Sequence, residues 1–197
     1  KPENLSHIEA ASVPLAGLTA WQALVTKGNI KQGDKVLIHA GSGGVGTLAI
    51  QIAKHFGATV ATTTSSKNIE LVKSLGADLI IDYTTQSFED KLSDYDLVFD
   101  MIGGDVLAKS FKVLKKGGTL ISIKGQDTED LAKKYGVNFE WFFMSPDGAM
   151  LTELVTLISQ GTIKTVIDST YPMEQASEAF GKLAEGRTKG KIVLTIK

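Results

Sequence analysis

The chain has 197 residues, enough for one sizeable hydrophobic core. Hydrophobic residues make up 43% and charged residues 22%, which excludes a disordered chain. A net charge of -1 leaves no basic excess for a nucleic-acid backbone, and the absence of Cys excludes a disulfide scaffold and any Cys-ligated zinc supplied by this chain.

In chain order, Leu5–Thr26 reads as helical. Ser6 and Glu9 stand at capping-box spacing, and Pro14 divides the segment in two. Residues 1–34 thus form a helical lead-in. Six candidate strands follow: Lys35–Ala40, Thr59–Thr63, Leu79–Asp82, Asp96–Met101, Thr119–Ile123 and Val137–Met144. Five of them are short and nearly all apolar, as strands covered on both faces are. Helical stretches separate them: Val45–Phe56, Lys67–Leu75, Gln86–Leu92, Asp105–Lys116 and Thr128–Tyr135. Gly57, Gly76, Gly117 and Gly136 each stand where a helix needs a left-handed stop. One more helix covers Asp147–Gln160.

This alternation predicts an α/β fold, with residues 35–160 forming a doubly wound, parallel, six-stranded Rossmann sheet and helices on both faces. Residues 161–197 add a C-terminal βαβ return: strand Thr162–Thr170, helix Met173–Glu185, polar loop Gly186–Gly190 and strand Lys191–Ile196. Four glycines interrupt the longest charge-free apolar stretch, Val36–Ala53, so no membrane span is expected. The opening KPENLSHIE has no secretory pattern, and a cytoplasmic location is expected. A start on Lys1 rather than Met suggests a piece of something longer.

The motif richest in chemistry is Gly41-Ser42-Gly43-Gly44-Val45-Gly46, which satisfies G-x-G-x-x-G between a β-run and a helix. Gly41 is expected to allow the tight turn, Gly43 to let a pyrophosphate approach the backbone, and Gly46 to let the helix pack on the strand. The helix N-terminus then offers N–H groups and a positive dipole end to phosphates. The bland alternative is a purely structural glycine turn. NAD sites usually carry an acid at the end of the second strand. Here that place reads Thr64-Ser65-Ser66-Lys67, and no acid stands between the glycine loop and Glu70. Hydroxyls plus an ammonium suit a 2′-phosphate, which points to NADPH/NADP as cofactor. Thr64, Ser65 and Ser66 also suit a plain helix cap.

HAGSGGVG, LAIQIAKHFGATV, LVKSLGAD, IDY, FDMIGG, LKKGGTLISIKG and EGRTKGKIVL, together with the opening AASVPLAGLTAWQAL, resemble the medium-chain dehydrogenase/reductase superfamily. Within it the chain is similar to the zinc-independent quinone oxidoreductases related to zeta-crystallin. The resemblance implies hydride transfer from NADPH to a quinone or enone. It places Ser42–Val45 at the pyrophosphate, Ser65 and Lys67 at the 2′-phosphate, and Tyr83 by the adenosine phosphate. Thr19 and Ile123, Lys124 and Gly125 fall near the nicotinamide. Tyr83 also reads as an ordinary strand-end aromatic, and Lys124 as a lysine reaching solvent. No catalytic residue is identified and no metal is expected.

Zinc-containing relatives carry a ligand Cys where Leu15 stands here, and His7, His39 and His55 share no metal-ligand spacing. A short-chain reductase needs Tyr with Lys four residues on, and none of the four tyrosines has it. A methyltransferase would need the ribose-binding acid that is missing after the second strand. Asp100 reads as a turn organiser ahead of Gly103-Gly104 rather than as a catalyst. The resemblance further implies a β-rich catalytic domain ahead of this segment, on which Val166–Ser169 and Lys191–Ile196 pack. It also implies a homodimer formed through strand 137–144, whose aromatic edge needs cover. The alternative reading is an NADP-binding module or sensor that turns nothing over.

Overall fold

A computed structural model describes residues 1–125 and 128–196. Its centre is a six-stranded parallel sheet with strand order β3-β2-β1-β4-β5-β6. The strands are β1 (Lys35–Ile38), β2 (Thr59–Thr64), β3 (Leu79–Asp82), β4 (Tyr95–Asp100), β5 (Leu114–Ser122) and β6 (Asn138–Trp141). The helices are α1 (His7–Ala11), α2 (Pro14–Trp21), α3 (Gly46–His55), α4 (Ile69–Ser74), α5 (Gly104–Ser110), α6 (Glu129–Tyr135), α7 (Gly148–Ser159) and α8 (Ala176–Ala184).

The period-two alternation of strand side chains feeds two cores at once. Val36, Ile38, Leu97, Phe99 and Ile121 face one side, where α2, α3 and α7 supply Ala20, Ile50, Leu154 and Ile158. Leu37, Val98 and Leu120 face the other, with Leu107 of α5 and Phe111. All of these are fully or nearly fully buried, so the strands read as near-continuous apolar runs because each is covered twice. The doubly wound expectation holds.

Local signals mostly act as read. Ser6 and Glu9 exchange both capping-box hydrogen bonds. Gly57, Gly76 and Gly136 take positive φ after α3, α4 and α6. Gly117 also has positive φ, but it lies inside β5, not after a helix. The helix expected over Asp105–Lys116 stops at Ser110, whose hydroxyl bonds back to the Val106 carbonyl at 2.7 Å, and β5 opens at Leu114. Gln86–Leu92 forms only a 3-10 turn, Phe88–Asp90, not a helix. The opening segment continues beyond α2 as a π-helical stretch, Gln22–Lys27.

The C-terminal strand arrives later than expected, as β7 (Ile167–Pro172). The reason is Gln51 of α3, whose amide donates to the Lys164 carbonyl and accepts from the Lys164 N–H at 2.9 and 2.8 Å, fixing that stretch as a linker. β7 pairs in parallel with β8 (Lys191–Thr195) through α8. This unit is anchored to the glycine loop: Gly190 N–H donates to the Ser42 carbonyl at 2.9 Å.

Candidate functional site

The strand order reverses between β1 and β4, and the crevice at the carboxyl ends of an open sheet is where such folds receive ligands. The glycine loop leaves β1 at that point. The left-handed residue of its turn is Ala40, with φ of 52°, rather than Gly41. Gly41 is required for a different reason: a Cβ there would run into the Thr62 hydroxyl and come within 2.9 Å of Ile50 Cδ1. Gly46 does what was expected, since a Cβ would lie 2.7 Å from Gly41 Cα as α3 starts against the loop. Gly43 has only the Ala40 carbonyl near its Cβ position, at 3.3 Å, so its outer side is open. Gly44 lies under the Lys191 side chain. Val45 precedes α3, and no side chain caps that helix, which leaves its N-terminal dipole end facing the loop.

A cavity of about 630 Å³ opens beside this loop. Ser42, Gly43, Thr64, Ser65, Lys67 and Tyr83 all line it, so most of the predicted anion-binding residues converge. Thr64 is almost fully buried, and its hydroxyl donates to Ser42 Oγ at 3.0 Å rather than into the cavity. Thr19, in α2, donates its hydroxyl to the Leu15 carbonyl and is not among the cavity residues. Ile123, Lys124 and Gly125 continue from β5 further along the sheet edge. Asp100 orders that region: its carboxylate accepts from the N–H groups of Ile102 and Gly103 and from Ser122 Oγ at 2.8 Å, as a turn organiser does.

Four features escaped the sequence reading. Gly186–Lys189 form a wall of the cavity and bring Arg187 and Lys189 to it. Asp168 holds that wall by accepting from the Lys189 N–H at 3.0 Å while ion-paired to Lys182. Burial pushes the Asp168 carboxyl up, but the bonds from Lys182, Lys189 and Ser169 outweigh it and leave its pKa lowered. Asn68 lines the cavity beside Ser42. Asp82, on the strand next to β2, accepts from the hydroxyls of Ser66 and Thr84, which lower its pKa. An acid therefore does stand near the β2 terminus, supplied from β3 and satisfied by its neighbours. Finally, His39 lies buried at the cavity floor between Thr63 Oγ1 at 3.1 Å and Ser110 Oγ at 2.9 Å.

Among the described residues, the cavity is thus lined by Lys67, Arg187 and Lys189 and by no carboxylate. Its chemistry suits an elongated, multiply anionic ligand.

A family model described as zinc-binding dehydrogenase matches residues 75–194. The chain belongs to this family, within the medium-chain dehydrogenase/reductase superfamily. Among proteins it resembles, a 2-methylene-furan-3-one reductase of Solanum lycopersicum is 41% identical over 98% of this chain and 48% of its own length. An NADPH-dependent alkenal/one oxidoreductase of Arabidopsis thaliana is 39% identical over the same shares. The quinone oxidoreductase from Coxiella burnetii superposes with a TM-score of 0.94 at 38% identity, over 99% of this chain and 62% of that one. The chain therefore spans about half the length of these curated relatives, the half that carries the nucleotide-binding fold.

The family's description names zinc, but this donor set does not fit it. The sequence has no Cys, and among the described residues no group of three or more His, Asp or Glu side chains could hold a metal ion.

Proposed function

We propose that the chain is the NADPH-binding half of a zinc-independent reductase that delivers hydride to a quinone or enone. The observation that carries this reading is the cavity on the glycine loop, lined among the described residues by three cations and no carboxylate. The names of the Solanum, Arabidopsis and Coxiella proteins support it, through the enone, NADPH and quinone chemistry they print.

The residues fit the cofactor. The open outer side of Gly43 and the uncapped start of α3 receive the pyrophosphate. Ser65 and Lys67 take the 2′-phosphate, with Tyr83 beside the adenosine. Arg187 and Lys189 close over the anionic middle of the molecule. Bound there, the dinucleotide supplies the hydride; the protein's share is orientation and electrostatics. Ile123–Gly125, at the end of β5, and Thr19 mark the direction of the nicotinamide.

The same reading includes a homodimer through β6. That strand is one of the two edges of the sheet, and Phe143 just beyond it is 83% exposed, with Trp141 half-exposed. A bare aromatic edge is a template for pairing with a second copy.

A chimera tests the function. This chain replaces the corresponding half of the Coxiella quinone oxidoreductase, and NADPH consumption is followed with 1,2-naphthoquinone. Turnover by the chimera is expected. A folded chimera that binds NADPH but reduces neither this quinone nor an enone would favour a binding module instead.

A further inference from the structure

One hydroxyl in the cavity is fixed more tightly than its place on a loop requires. Ser42 Oγ accepts from Thr64 Oγ1 at 3.0 Å and from Asn68 Nδ2 at 3.0 Å. A hydroxyl oxygen has two lone pairs and one proton. With both lone pairs occupied, the proton has to point elsewhere, and among the described residues no protein acceptor takes it. Ser42 lines the cavity, so that proton is presented to whatever enters. The Ser42 backbone is held from the other side by the Gly190 N–H, which leaves the residue little freedom to turn away.

Asn68 carries a cost that a purely structural residue would not. It is only 9% exposed, and its Oδ1 is buried without any hydrogen-bond partner. Buried orphaned acceptors are rare and ask for an explanation. The amide sacrifices its oxygen to aim its NH2 group at the cavity's hydroxyls: the second contact of Nδ2 is Ser65 Oγ, at 3.5 Å. Asn68 therefore sits between the glycine loop and the corner after β2, donating toward both.

We propose that Asn68 is a positioning residue for phosphate recognition: its amide, with the Thr64 hydroxyl, locks Ser42 so that the Ser42 proton donates to the diphosphate of a bound dinucleotide. This rests on the dinucleotide reading above. Polarity is the core of the idea. Asn68 must donate; a carboxylate at the same position would accept the Ser42 proton and turn the oxygen's lone pairs on the phosphate.

The test is calorimetric titration of the 197-residue chain and its variants with NADPH and NADH, alongside their melting temperatures. Asn68→Ala is expected to weaken both nucleotides by about tenfold, the lower end for a hydrogen bond to a charged group. Asn68→Asp is expected to weaken both by more than Asn68→Ala does, although its shape is nearly unchanged. In a Ser42→Ala background, Asn68→Ala is expected to have almost no further effect, a non-additivity that general loosening of the loop would not produce. Near wild-type affinity in Asn68→Asp would overturn the proposal, because the amide would then act through its oxygen. So would full additivity with Ser42→Ala, or a loss confined to NADPH. Thr64→Val, which removes the other donor, provides the same comparison if an Asn68 variant fails to fold. A wild-type chain that binds neither nucleotide overturns the dinucleotide reading itself, and the proposal with it.

Discussion

His39 makes the stability of the fold depend on pH in a way that can be calculated. Ser110 gives its proton to the Val106 carbonyl, so the Ser110 oxygen accepts from His39 Nε2. Thr63 Oγ1 accepts from the Ala40 N–H, so its proton serves His39 Nδ1. Both ring nitrogens are thereby satisfied with the imidazole neutral. Burial pushes its pKa from 6.5 down to about 4, against the opposing pull of the Asp100 and Glu89 charges. Between these values the unfolded chain takes up a proton that the folded chain refuses, so stability rises with pH through the window. The contribution is complete above pH 7.5 and is lost as pH falls through the window. From pH 7.5 to pH 5 the loss comes to about 2 kcal/mol. Urea unfolding at both pH values measures it, in the wild type and in His39→Gln, which keeps a donor for Ser110 but does not titrate. The variant is expected to lose about 2 kcal/mol less than the wild type over that interval. Parallel losses in the two proteins, or a His39 ring signal that titrates near pH 6.5 by NMR, would refute the argument.

Other consequences follow from the loop and the sheet edge. Gly46→Ala puts a Cβ 2.7 Å from Gly41 Cα, a backbone atom that cannot swing aside. It is expected to cost about 1–3 kcal/mol in urea unfolding. Gly148→Ala at the start of α7 meets nothing within 4 Å and is expected to be neutral or slightly stabilising in the same assay. Lys67→Ala should weaken NADPH by roughly 10- to 150-fold and NADH hardly at all; an equal loss for both would remove Lys67 from the 2′-phosphate. The wild-type chain should sediment as a dimer at tens of micromolar and Phe143→Lys as a monomer. A wild-type monomer would mean that β6 is not a pairing edge.

The sheet was legible because double coverage leaves a plain mark: Val36–Ile38, Val60–Thr62 and Leu97–Phe99 are apolar or Thr at every position. The glycine loop was legible because its demands are local. Gly46 must be small because the loop five residues earlier, at Gly41, passes beside it. Local reading misplaced Gly41, whose restriction comes from Thr62 on the neighbouring strand. It overran α5, because Leu114–Lys116 look helical and only the tertiary pairing of Leu114 with Tyr95 makes them strand. The site divides in the same way. Ser42, Ser65 and Lys67 lie within one βαβ unit and could be found by motif. Arg187 and Lys189 lie far away in the chain and reach the cavity only because β8 brings Gly190 onto the Ser42 carbonyl. Asp82 is invisible from β2 for the same reason: parallel register, not sequence, sets it opposite Thr64.

The central claim is that this cavity holds a dinucleotide bearing a 2′-phosphate, and calorimetric titration of the intact chain with NADPH and NADH tests it most directly. One NADPH per chain is predicted, bound at least tenfold tighter than NADH, with the difference shrinking as salt screens Lys67, Arg187 and Lys189. Equal affinity for the two nucleotides, or no binding of either, would contradict it.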